Sequence, residues 1–153
     1  MSDDTLLYRI QTLQFQDKSA AERLLEIFIR ETFSLPVRTV ELRPLAVSLN
    51  SFNGFMTLAD GKRLFFKSHA EPDNVISEYY NAQRLAEAGY PIIQPVFSST
   101  DAGKQLLIYE VVNASSVFDI AWNIENGDDS YLQVLTNAQN SADDLLFDLY
   151  KET

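Results

Sequence analysis

Phe55-Met-Thr-Leu-Ala-Asp-Gly-Lys-Arg-Leu-Phe-Phe-Lys67 reads as two strands joined by a tight turn. Asp60-Gly61 separates the runs Phe55 to Leu58 and Arg63 to Lys67, and both turn residues tolerate the positive φ of a short hairpin turn. Side chains alternate across a strand, so Lys67 falls on the face opposite Leu64 and Phe66. Upstream, Val40 and Leu42 alternate with Glu41 and Arg43, a further strand that Pro44 bends or confines to a sheet edge. The intervening Ser48-Leu-Asn-Ser-Phe-Asn-Gly54 is rich in turn formers and is expected to be a loop. Downstream, Pro72-Asp73-Asn74 opens a helix with Val75, Tyr79, Ala82 and Ala86 at helical spacing. Gly89 suits its C-terminal cap and Pro91 prevents extension. Two more strands are expected at Ile92 to Ser98 and Leu106 to Val112, joined by Asp101-Ala-Gly103-Lys104.

Helices are expected on both flanks. Ser19-Ala-Ala-Glu22 has the spacing of a capping box, in which hydroxyl and carboxylate each satisfy the other's backbone end. Behind it Leu24, Ile27 and Phe28 share a face that Leu25 and Ile29 widen, and Pro36 ends the helix. A shorter helix from about Thr5 to Leu13 uses Leu6, Ile10 and Leu13. Past residue 112, Ser116 with Asp119 opens a short helix that breaks near Asn126-Gly127. Tyr131, Leu135, Ala138, Ala142, Leu145 and Leu149 then form the apolar stripe of one long helix. The expected class is α+β: a five-stranded antiparallel sheet with a packed helix, flanked by N-terminal and C-terminal helices. The expected segments are 1–36, helical; 37–112, sheet-bearing; and 113–153, helical. The last stripe needs a partner surface, which predicts a homo-oligomer through the C-terminal helix or a missing remainder of the fold.

A chain of 153 residues allows one ordinary domain. The absence of cysteine removes disulfides and thiolate metal sites, and a single histidine removes a multi-histidine zinc site. No apolar run reaches the ~18 residues of a membrane span. The start, Met1-Ser-Asp-Asp4, is acidic where a secretory signal is basic, so the cytoplasm is the expected compartment and no membrane partner is expected. Twelve Lys and Arg against 22 Asp and Glu give a net charge of -10, which opposes binding of nucleic acid through a broad basic face. From Gln105 onward Lys151 is the one basic residue, a distribution that suits either plain solubility or an acidic wall attracting a cationic ligand. Gly61-Lys62 and Gly103-Lys104 lack the upstream glycine and downstream hydroxyl of a Walker phosphate loop.

From about Val37 to Asp119 the chain resembles the N-terminal lobe of a protein-kinase-like phosphotransferase. It is most similar to the aminoglycoside phosphotransferase superfamily, which also holds choline and fructosamine kinases. The resemblance rests on Gly61-Lys-Arg-Leu-Phe-Phe-Lys67, on Ser77-Glu-Tyr-Tyr-Asn-Ala-Gln-Arg-Leu-Ala-Glu-Ala-Gly-Tyr-Pro91, and on Leu106-Leu-Ile-Tyr-Glu110. It implies a nucleotide ligand, ATP. Lys67 would hold the α- and β-phosphates, and Glu78 on the helix would fix that long, flexible amine as an ion pair. Ser51, Asn53 and Gly54 would cover the phosphates, although Ser51 and Asn53 suit a turn equally well. Backbone groups of Glu110 and Val112 would hydrogen-bond adenine, and Tyr109 would line the back of that pocket. The aspartate that orients the attacking hydroxyl, and the Asn and Asp that hold magnesium, would follow position 153. The chain is therefore expected to carry no catalytic residue and no magnesium site, and not to transfer phosphate alone. One alternative is a non-catalytic kinase-like binding or dimerisation module in which Lys67 and Glu78 are structural or merely solvated. Another is an unrelated α+β binding protein, should the strand order differ.

Overall fold

A computed structural model describes residues 5–44, 51–69 and 72–152. The positions Ser48 to Asn50 of the expected loop lie outside the described residues. Two short helices come first, α1 over Leu6–Leu13 and α2 over Lys18–Phe33. Strands β1, Val37–Leu42, β2, Ser51–Leu58, and β3, Arg63–His69, follow. Helix α3 spans Pro72–Glu87, and β4, Phe97–Ser99, and β5, Leu106–Glu110, complete the sheet. Helix α4, Val117–Glu125, a 3-10 turn at Asp129–Tyr131 and helix α5, Leu132–Glu152, close the chain. The five strands form one open antiparallel sheet in the order β1-β2-β3-β5-β4, so the α+β expectation holds. Contacts divide the chain into two compact units, Met1–Ala86 with Ile92–Val111, and Glu87–Pro91 with Val112–Thr153.

In the first unit the pleat sorts residues cleanly. Along β2, Phe52, Gly54, Met56 and Leu58 are buried while Ser51, Asn53, Phe55 and Thr57 are half-buried. The buried set meets Leu64 and Phe66 of β3, and α1 and α2 cover this face with Ile10, Leu25, Phe28 and Ile29. Each such side chain, fully withdrawn from water, contributes roughly 1.5–3 kcal/mol before entropy is charged against it. On α2 the buried stripe is Ala21, Leu25, Phe28 and Ile29, whereas Ile27, expected inside, is exposed. The α2 cap also differs from expectation. Asp17, not Ser19, accepts the Ala20 amide at 3.0 Å and starts the helix at Lys18. Glu22 is thereby released from any capping box, and its carboxylate takes the Leu42 amide of β1 at 2.9 Å.

Three strand boundaries correct the sequence reading. Ser51 to Gly54 are strand, not loop, because all four pair with β3, from Ser51 opposite His69 to Gly54 opposite Phe66, and Gly54 also opposes Leu42 of β1. Strand β4 is three residues rather than seven, since Pro95 has no amide to donate and pairing begins only with the Val96 N–H to Ile108 C=O bond of 2.7 Å. Strand β5 ends at Glu110 instead of Val112. The hairpin forms at Asp60-Gly61 as expected, but only Gly61, at φ 88°, takes positive φ; Asp60 does not, and its carboxylate accepts the Lys62 amide at 2.9 Å.

The second unit is helical. Ser116 caps α4: its hydroxyl accepts the Asp119 amide at 3.1 Å and donates to the Asp119 carboxylate at 2.6 Å. The helix stops at Asn126, and Gly127 turns the chain at φ 97°. Asp128 then accepts the Ser130 amide at 3.1 Å, and the bonds from Ser130 hold its carboxyl below the usual range. Among the described residues no helix is long and apolar enough to cross a membrane.

Candidate functional site

The second face of the sheet is only partly covered, and it collects the polar groups. Phe65, Lys67 and His69 of β3 all point to this side with Asn53 and Phe55 of β2. Pairing in register with β5 places Leu107 opposite Lys67 and Tyr109 opposite Phe65. Helix α3 leans on this face through a small cluster, Val75 and Tyr79 against Leu107, Tyr109 and Phe65. That contact brings Glu78, three residues after Val75 and one before Tyr79, over the sheet.

Lys67 Nζ lies 2.6 Å from Glu78 Oε2, each side chain 31% exposed. The other carboxylate oxygen, Oε1, accepts a hydrogen bond from the Tyr109 hydroxyl. Lys67 Nζ also stands 5.9 Å from the centroid of the Tyr109 ring, within range of its π face. Burial is the main force raising the Tyr109 phenol above its ordinary value of 10.0; the Glu78 hydrogen bond and then the Glu78 charge push the same way. Protonated Tyr109 is thus the donor at neutral pH. An aromatic row extends from it: Tyr109 to Phe65 at 6.4 Å between centroids, and Phe65 to Phe55 at 5.6 Å, edge on. Arg63 and Arg43 place their guanidinium carbons 4.1 and 5.7 Å from the Phe55 centroid.

Of the residues singled out from sequence, the fold brings Lys67, Glu78, Asn53 and Tyr109 to one patch. Ser51 shares their face, paired with His69 beyond Lys67. Gly54 does not join them. Its missing side chain points to the packed face, where a Cβ would lie 2.0 Å from the Glu41 carbonyl oxygen and 2.8 Å from Phe66 Cζ. Glu110 ends β5 with its carboxylate 2.7 Å from Lys62 Nζ, a bond that holds the carboxyl below its ordinary range. Val112 belongs to the second unit and is exposed. The Tyr109–Glu78 bond was not readable from sequence, because it needs the β3–β5 register to set Tyr109 diagonally from Lys67. The two arginines on Phe55 needed the β2–β3 register and the Arg43–Asn53 pairing beside it, which the sequence does not show.

An ammonium has three donors, and Glu78 takes one. The patch thus offers a carboxylate-paired amine with donors to spare, an amide side chain across the ladder, and the half-buried rings of Phe55 and Phe65 beside the buried ring of Tyr109. Among the described residues no group of three or more His, Asp or Glu is placed to hold a metal ion. No protein-family model matches the chain, and no curated protein matches it in a sequence search.

Proposed function

We propose that this chain is the nucleotide-binding lobe of an ATP-dependent small-molecule phosphotransferase acting in the cytoplasm. The observation that carries the reading is the Lys67–Glu78 pair, 2.6 Å apart on the half-open sheet face. An isolated strand lysine samples many rotamers, whereas a carboxylate anchored on a second element holds the amine where phosphate oxygens can be met. Asn53, directly across the β2–β3 ladder, supports the same site with an amide donor. Phe65, half-buried on the same face, supplies apolar surface for a base, with the buried Tyr109 ring behind it. ATP would supply the transferable γ-phosphoryl group. Under this reading residues 1–153 bind nucleotide without turnover, because the hydroxyl-orienting aspartate and the magnesium ligands of such enzymes fall outside the resembling stretch, Val37 to Asp119. Calorimetric titration with magnesium-ATP tests it: wild type binds and Lys67→Ala loses at least tenfold in affinity. A wild-type chain that gives no heat at millimolar nucleotide overturns the reading.

A second reading is favoured by exposed side chains of the helical unit. Phe118 and Trp122 stack at 6.3 Å on α4 while 73% and 59% exposed, and Phe147 and Tyr150 are exposed on α5. These suit a non-catalytic module that dimerises through its C-terminal helices. Sedimentation equilibrium separates the two: a dimer without nucleotide binding selects the module.

A further inference from the structure

We propose that Tyr109 is the positioning residue of this site: its hydroxyl fixes the Glu78 carboxylate so that one oxygen is committed to Lys67. The inference deepens the nucleotide reading and rests on it for its ligand. Glu78 divides its oxygens between two partners on two adjacent strands, Oε1 to Tyr109 on β5 and Oε2 to Lys67 on β3. A glutamate has three side-chain torsions, and one ion pair with a flexible lysine fixes few of them. Packing does not replace that control. Helix α3 meets the sheet through the small Val75 cluster, whereas α1 and α2 share the large core on the other face.

Tyr109 is suited to the task because it is itself rigid. It is 9% exposed, its ring packs beside Phe65, and a ring on two torsions loses little entropy on ordering. A buried hydroxyl also needs a partner, and Glu78 is the acceptor it takes. The phenol acts on Lys67 through Glu78, so its effect vanishes when Glu78 can no longer accept as a carboxylate. Direct contact of the ring with the ammonium is at 5.9 Å and does not depend on the hydroxyl.

The experiment is a double-mutant cycle on the full chain with Tyr109→Phe, Glu78→Gln and the pair together. Incorporation of 4-fluorophenylalanine at position 109 serves as a second deletion of the hydroxyl that keeps the ring should Tyr109→Phe fail to fold, with amide spectra reporting the fold of each. Two readouts are taken, the Kd for magnesium-ATP and the rate of reductive methylation of the Lys67 amine. Removing the hydroxyl is expected to weaken nucleotide binding about tenfold, the size of one charge-assisted hydrogen bond, and to change the methylation rate at least threefold. In the Glu78→Gln background the same deletion should change neither. Equal effects in both backgrounds, or none in wild type, overturn the proposal even if Lys67→Ala still abolishes binding. If wild type binds no nucleotide, the functional reading fails while the methylation cycle still decides the role of Tyr109: coupling to Glu78 supports it, and its absence overturns it.

Discussion

Replacing Gly54 by alanine tests the packing of β1 on β2 directly. The added Cβ would lie 2.0 Å from the Glu41 carbonyl oxygen, 3.0 Å from its carbon and 2.8 Å from Phe66 Cζ. A carbon and a carbonyl oxygen settle at about 3.3–3.6 Å, so the strands must part by more than about 1 Å. Ladder hydrogen bonds tolerate only a few tenths of an ångström, and the neighbouring Arg43 N–H to Asn53 C=O bond, 2.9 Å, breaks with its nearest equivalent. Two bonds at about 1 kcal/mol each, with about 1–2 kcal/mol for displacing the Phe66 ring, give a loss of roughly 3–4 kcal/mol. Domains of this size are stable by about 5–15 kcal/mol, so the variant should fold with much of its margin gone. Urea unfolding followed by circular dichroism reads the loss, and amide exchange at Arg43 localises it, which matters because the helical unit contributes to the global signal. A variant within about 0.5 kcal/mol of wild type, with Arg43 still protected, would refute the close approach of the two strands.

At the start of α2, Asp17→Ala should cost about 1 kcal/mol and Ser19→Ala less than about 0.5 kcal/mol, and the reverse ranking in urea melts would return the cap to Ser19. Tyr109 is held protonated in the fold by burial, by its bond to Glu78 and by the Glu78 charge. The folded chain therefore keeps a proton that the unfolded chain releases near pH 10.0, so this part of the stability is complete below that pH and is lost as the pH climbs through the folded value. Glu78→Gln leaves burial as the principal cause, and Tyr109 should titrate at lower pH than in wild type while staying above 10.0; identical midpoints by ring-carbon resonance would contradict the bond.

Local chemistry was the part of this fold most easily read. Asp60-Gly61 needs only its own backbone preferences to make a hairpin, and Ser116 with Asp119 needs only one turn of helix. The alternation of Leu64, Phe66 and Lys67 placed the lysine on the face where it stands, and helical periodicity brought Glu78 within reach. Failures came where a distant partner outvoted local preference. Asn53-Gly54 is a turn former by propensity, yet it is a strand because Gly54 alone fits beneath the Glu41 carbonyl. Ile92 and Ile93 are good strand residues, but Pro95 leaves the ladder without a donor until Val96. Glu22 completes a capping-box pattern and instead serves a strand twenty residues away. Within the site, the amine and carboxylate were legible, and the phenol that joins them was not, because 31 residues and a strand register separate Tyr109 from Glu78.

The two margins of the sheet bear on how this chain behaves in a crowded solution. An outermost strand with a long row of open amides and carbonyls recruits the same strand from another molecule and seeds fibres. On one margin, β1 breaks its register between Val37 and Thr39, carries exposed Arg38 and Glu41, and has the Leu42 amide already claimed by Glu22. On the other, β4 offers three residues next to a proline. Neither margin is a template on which a second sheet can easily grow, so self-recruitment through strand addition is resisted by geometry as well as by the net charge of -10.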